Sequence, residues 1–207
     1  MSKLVVCEKP SVAQSVGKVL GAVKRCDGYL EGAGYIVSWC VGHLVELAQP
    51  EAYGETYAKW RLEDLPILPE KWRYQVYLST KKQFQILKEL MSREDVASIV
   101  EATDAGREGE LIFRLVYHQC KCRKPFERLW ISSMEDAAVR EGFARLRPGT
   151  EYDALYEAGC PLNFGRDMGA YTHLRRGRFI GFVQVKAWDD DGVRVFSRRV
   201  TFVGKIL

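Results

Sequence analysis

The sequence predicts an α/β fold with a mainly parallel central sheet flanked by helices, followed by a short basic β-hairpin-like tail. Three observations carry this. Short apolar, β-branched runs at Leu4-Val5-Val6-Cys7 and Ile99-Val100 each give way through a polar turn to helix-type periodicity, the order of a buried parallel strand and its crossover helix. Strand and helix patterns then alternate as far as residue 146. Beyond residue 159 the pattern changes to two alternating segments around a turn.

The first unit starts with Lys3 to Cys7 as a strand. Pro10 and Ser11 open a helix with the stripe Val12, Val16, Val19 and Leu20, and Ser11 is the expected N-cap. Gly28 to Cys40 reads as a hairpin, with Gly32 and Gly34 in the turn and Tyr35 to Trp39 as strand. Residues 48–73 carry Pro50, Pro66 and Pro69 with Trp60 and Trp72, the composition of an ordered but irregular connection. A strand is expected at Tyr74 to Leu78, then a helix over Thr80 to Met91 with its apolar stripe on Phe84, Leu87, Leu90 and Met91. Glu127 to Ser132 is a further strand. Ser133 is the expected N-cap of a helix through Val139, Phe143 and Leu146 that stops at Pro148-Gly149.

The stretch 97–114 carries the chemistry. Its strand breaks at Thr103-Asp104-Ala105-Gly106, and a helix begins near Arg107 with the stripe Leu111, Ile112, Leu115 and Val116. Such a turn lies at the carboxyl end of a strand, where open α/β sheets bind their ligands, and it carries Asp104, Glu108 and Glu110. Acidic residues also favour the first turn of any helix, so Asp104 as a mere N-cap is the competing reading. Glu8-Lys9 occupies the same kind of place after the first strand. In a parallel sheet the two can converge, with carboxylates for a cation and Lys9 for a phosphate. His43 follows a strand and a glycine; alone, it reads equally as a hydrogen-bonded structural histidine.

Composition narrows the function classes. The 207 residues are 47% hydrophobic and 12% aromatic, ordinary globular values. No apolar run is long enough to span a bilayer, and Met1-Ser2-Lys3 leads into a strand and not a signal peptide, so a cytoplasmic place is expected without membrane contact. Cys7, Cys26, Cys40, Cys120, Cys122 and Cys160 form no CxxC pair, and free thiols are expected; Cys120-Lys121-Cys122 with His118 lacks the spacing of a zinc knuckle. Residues 1–158 hold 22 Lys/Arg against 23 Asp/Glu, and residues 159–207 hold 9 against 4. The tail is therefore basic, which permits contact with nucleic acid without establishing it.

Four segments together resemble a known family: Leu4-Val5-Val6-Cys7-Glu8-Lys9-Pro10-Ser11-Val12-Ala13; Val41-Gly42-His43-Leu44; Ala102-Thr103-Asp104-Ala105-Gly106-Arg107-Glu108-Gly109-Glu110; and Arg128-Leu129-Trp130-Ile131-Ser132-Ser133. In this order, over residues 1–158, they look like the amino-terminal Toprim domain, a Rossmann-like fold, of a type IA DNA topoisomerase of the bacterial topoisomerase III branch. The resemblance implies Mg²⁺-assisted cleavage and religation of a single-stranded DNA segment by transesterification. By similarity Glu8 is the acid near the scissile phosphate and a third metal ligand, Lys9 steadies that phosphate, and Asp104 with Glu108 holds Mg²⁺. His43 lies near the active site in a secondary role, and Arg107 and Arg128 join Lys9 as nucleic-acid contacts.

Two departures limit the transfer. The family's Asp-x-Asp stands here as Asp104-Ala105-Gly106, so the second aspartate is missing. The family's nucleophilic tyrosine, in a Tyr-Pro-Arg-Thr type context, has no match in these 207 residues, and Tyr171 in Gly-Ala-Tyr-Thr-His reads as structural or incidental. From Gly159 the resemblance ends. Pro161 to Gly169 reads as loop, Arg175 to Arg178 as a basic patch, and Phe179 to Trp188 with Val193 to Phe202 as a hairpin around Asp189 to Gly192. A stand-alone Toprim nuclease or primase-like protein and a non-catalytic nucleic-acid-binding module remain as alternatives.

Overall fold

The computed structural model describes residues 1–59 and 71–159, together with the strand backbones 178–188 and 194–205. Seven strands form one sheet in the order β2-β3-β4-β1-β7-β8-β9. They are β1 (Ser2–Cys7), β2 (Lys24–Cys26), β3 (Tyr29–Gly32), β4 (Tyr35–Trp39), β7 (Val96–Ala102), β8 (Phe126–Arg128) and β9 (Arg147–Pro148). The middle pairs β4-β1, β1-β7 and β7-β8 are parallel; β2-β3, β3-β4 and β8-β9 at the two margins are antiparallel. The expected mainly parallel sheet is therefore present, and the early hairpin forms one of its antiparallel margins.

Pleating divides the core into two layers. Leu4, Val6, Ile36 and Ile99 face α2 (Lys81–Ser92) and α3 (Arg107–Gln119), packing on Phe84, Leu87, Leu111 and Phe113. Val5, Cys7, Val37 and Val100 face α1 (Pro10–Leu20) and α4 (Asp136–Ala144), packing on Ala13, Val16 and Val139. β1 sits at the centre with both faces covered, and Leu4, Val5 and Val6 are 0% exposed. Burial of each such side chain contributes about 1.5–3 kcal/mol relative to leaving it in water. A short ribbon of β5 (Val45–Leu47) and β6 (Tyr74–Val76) pairs antiparallel beside this body. Two 3₁₀ turns, Pro50–Tyr53 and Glu55–Ala58, form part of the irregular connection, steadied by the Tyr53–Trp72 ring contact at 6.0 Å.

Several boundaries differ from expectation for identifiable reasons. Lys9, not Ser11, caps α1: Pro10 occupies the first helical position and holds the residue before it extended, at φ −133° and ψ 152°. α4 starts at Asp136 with Glu135 as N-cap, while the Ser133 hydroxyl accepts the Glu135 N–H at 3.2 Å, two residues early. That helix ends at Ala144, and Arg147-Pro148 turns back as an edge strand against β8. β8 is shorter than Glu127 to Ser132, its ladder with β7 ending at the Glu101–Arg128 pair.

The chain divides into two compact units, Met1–Gly159 and Cys160–Leu207. In the second, β10 (Arg178–Trp188) pairs antiparallel with β11 (Arg194–Lys205), matching the alternation in the tail. Trp60, Pro66, Pro69, Cys160, the Pro161 to Gly169 loop, Tyr171, Arg175, Arg176 and the Asp189 to Gly192 turn lie outside the described residues. The other five cysteines are free. No described helix is long and apolar enough to cross a membrane.

Candidate metal and phosphate site

Three parallel neighbours deliver the site. In the ladder Cys7 is level with Trp39 on one side and Ala102 on the other, so the chain leaving β1, β4 and β7 emerges at one sheet edge. Glu8 and Lys9 follow β1, Gly42 and His43 follow β4, and Thr103 to Glu108 follows β7. Backbone bonds keep these exits together: Cys40 N–H donates to Cys7 O at 2.7 Å, and Gly42 N–H reaches toward Glu8 O at 3.5 Å.

The side chains converge as the sequence suggests. Lys9 Nζ stands 3.2 Å from Glu8 Oε1 and 3.9 Å from Asp104 Oδ2. Glu8 Oε2 lies 3.4 Å from the Asp104 N–H. The Glu8 hydrogen bond, then the charges of Glu8 and Asp104, hold the Lys9 ammonium above its ordinary range, so it is cationic at any physiological pH. His43 Nε2 pairs with Glu108 Oε1, which brings the β4 exit onto the first turn of α3. Glu8 is largely buried, whereas Asp104 and Glu108 are exposed. Arg107 is exposed at the first position of α3.

The turn itself is tightly built. Gly106 caps α3 in an extended conformation with no side-chain cap, so Asp104 is not the N-cap. Gly109 allows α3 to touch the turn: a Cβ there would stand 2.1 Å from the Asp104 carbonyl oxygen. The Thr103 hydroxyl donates to the Gly109 carbonyl at 2.9 Å. The family motif contained Gly109, but only the close approach reveals why glycine stands there.

Two acidic or basic residues near the turn point elsewhere. Arg128, expected as a nucleic-acid contact, is 0% exposed, and its terminal nitrogens donate to main-chain carbonyls. A phosphate cannot reach it. Glu110 is also 0% exposed and pairs with Arg114 Nε at 2.9 Å, one helical turn on, so it is absent from the cation-facing surface. The i,i+4 spacing of Glu110 and Arg114 was the available sequence signal for this pair. Glu101, in an otherwise apolar strand, is a third buried group; burial pushes its carboxyl well above the ordinary range, against the pull of Arg128.

The remaining donor set is Glu8, Asp104 and Glu108, all carboxylate oxygen. Among the described residues no three potential ligands are already gathered as a metal cage. An all-oxygen donor set of this kind suits a hard divalent cation that completes its shell with water. The exposure of Asp104 and Glu108 leaves room for those waters.

A family model described as the Toprim domain matches residues 3–134. DNA topoisomerase 3 of Bacillus cereus is 54% identical over 157 residues, covering 75% of this chain and 22% of that protein. DNA topoisomerase 3 of Bacillus subtilis is 54% identical over 159 residues, covering 76% and 22%. The chain thus spans about a fifth of the length of these relatives. Among solved structures, full-length topoisomerase I from Thermotoga maritima aligns with a TM-score of 0.46 at 23% identity, over 70% of this chain and 21% of that one. With its motifs aligned at one sheet edge and most of its first unit matched by the family model, the chain belongs to the Toprim family.

Proposed function

We propose that this chain supplies the cation- and phosphate-handling half of single-strand DNA cleavage and religation, working in the cytoplasm as part of a type IA DNA topoisomerase. The observation that carries this is the convergence of Glu8, Lys9, Asp104 and the His43–Glu108 pair from three adjacent strand ends. The five unpaired described cysteines support a reducing compartment.

In this reading Asp104 and Glu108 hold Mg²⁺, with Glu8 as a third oxygen. The bound ion supplies charge neutralisation at the phosphodiester. Lys9 adds a fixed positive charge on the same phosphate, and Arg107 contacts the neighbouring backbone of a single-stranded segment. His43 keeps the Glu108 carboxylate turned toward the site. Glu8, sheltered beside Lys9, lies next to the sugar oxygen that leaves and later returns, and keeps the Lys9 ammonium directed at the phosphate. Transesterification at phosphorus depends on positioning and charge more than on covalent apparatus, which suits so small a set. The attacking tyrosine hydroxyl is not supplied by these 207 residues.

A domain exchange tests this. Residues 1–158 replace the corresponding segment of the Bacillus subtilis relative, and the chimera is assayed for Mg²⁺-dependent relaxation of negatively supercoiled plasmid. The expected result is relaxation that Lys9→Ala lowers by about 10²-fold or more, the scale for loss of a charge placed on the reacting phosphate. A folded chimera that does not relax, or whose rate ignores Lys9→Ala, refutes the proposal.

A further inference from the structure

The carbonyls of Thr103 and Asp104 stand past the end of the β7 ladder and before the first turn of α3, where neither element provides a donor. One side chain takes both. Arg128 Nη1 donates to Thr103 O at 2.8 Å, and Nη2 donates to Asp104 O at 2.7 Å. Arg128 is the last residue of β8, beside β7 in the parallel ladder, and the Trp130 ring lies 5.3 Å from its guanidinium carbon. On the inner side, Arg128 Nε faces Glu101 Oε1 at 3.4 Å and Glu110 Oε2 at 3.3 Å. Those contacts have ion-pair range without hydrogen-bond alignment, since Arg128 Nε and Glu110 Oε2 have no hydrogen-bond partner. Glu101 lies on β7 and Glu110 on α3, the two elements that the turn joins.

We propose that Arg128 is a positioning residue for the candidate metal turn: its guanidinium fork holds the successive carbonyls of Thr103 and Asp104, while Glu101 and Glu110 hold the fork. The orientation distinguishes this from a plain buried ion pair. An arginine serving only to neutralise carboxylates presents its paired terminal nitrogens to them. Here those nitrogens go to the backbone, and the carboxyls receive the Nε edge. Arg128 thus holds the Asp104 carbonyl against which Gly109 lets the helix pack, and together they fix the backbone that carries the Asp104 carboxylate. Lysine cannot replace this, because a single ammonium does not span two carbonyls and two carboxyls at once. For the identity of the ion, the inference rests on the proposed function.

Hydrogen–deuterium exchange on the full chain without metal tests the clamp. In Arg128→Lys, the amides of residues 104–110 exchange about tenfold or more faster, while those of β1 and β4 keep their wild-type rates. Unchanged turn amides, or an equal acceleration through the whole sheet, overturn the proposal. Should Arg128→Lys not fold, Glu101→Gln, which keeps the volume, decides with the same readout and the same two outcomes. Mn²⁺ binding followed by electron paramagnetic resonance adds the functional arm: affinity falls in Arg128→Lys and stays at the wild-type value in Val139→Ala, a buried substitution in the opposite layer. Equal losses in both variants reduce Arg128 to general stability and overturn the positioning role. Faster turn exchange combined with Mn²⁺ affinity indifferent to Asp104→Asn leaves the clamp standing and removes the metal reading instead.

Discussion

Gly109→Ala isolates the contact that presses α3 onto the turn. A Cβ at 109 would meet the Asp104 carbonyl oxygen at 2.1 Å, its nitrogen at 2.9 Å and its carbonyl carbon at 3.0 Å. All three atoms are backbone, so no side chain can swing aside. Relief to the shortest distance that real Cβ atoms tolerate, 3.0 Å, requires the turn or the helix to move by about 0.9 Å. Overpacking of this kind costs about 1–3 kcal/mol, offset by up to about 1 kcal/mol because alanine is the better helix former. The net expectation is a destabilisation of about 1–2 kcal/mol by the same principles, read by thermal or urea unfolding. A displacement near 1 Å at a positioned carboxylate also matters out of proportion to its size, and Mg²⁺ affinity by calorimetry should fall by about tenfold or more. Gly106→Ala is the control: that residue is extended at φ 177°, and a Cβ there meets nothing within 4 Å. Wild-type stability and wild-type Mg²⁺ heats in Gly109→Ala would refute the claim that this contact sets Asp104.

The same open space at Gly106 permits the reverse experiment. Gly106→Asp should fold normally and bind Mg²⁺ more tightly by adding a third carboxylate to the turn; heats equal to wild type would show that the side chain does not reach the ion. For pH dependence, His118 is informative. Burial, then the charge of Arg114, hold its imidazole below the ordinary 6.5. The unfolded chain therefore takes up the proton first, so stability is full above 6.5 and is lost as pH falls from there through the lower folded value. His118→Gln should shrink the drop in unfolding free energy between about pH 8 and about pH 5, and an unchanged drop would assign it to other groups.

The mainly parallel sheet and its alternation with helices could be read from the chain because the signals were local. Leu4 to Cys7 is an uninterrupted apolar run of the kind a strand covered on both faces requires, and the α3 stripe has helical spacing. Glu8, Lys9, His43, Asp104 and Glu108 could be placed at one sheet edge because each follows a strand, and a parallel sheet aligns its strand ends. Failures arose where tertiary contact decided. Arg128 and Glu110 look on the page like charges for a ligand, yet both are buried with each other and with Glu101, and only spatial neighbours show that. The cap of α1 was displaced by the geometry of Pro10, which outranks the hydrogen-bonding preference of Ser11. The end of β8 depended on where its pairing with β7 stops, which no feature within residues 126–132 records.

The clamp at Arg128 also has a bearing on the order in which the molecule is made. Its partners come from residues 101–110, and Glu8 from the very start of the chain, so the turn cannot acquire its anchor until synthesis has passed residue 128. Contacts across such sequence separations form late in folding, after the loops between them have closed. A nascent chain that exposes Glu8 and Asp104 therefore holds two carboxylates with no fixed angle between them. The proposed hold on a cation and a phosphate would therefore form only after Arg128 has reached the turn.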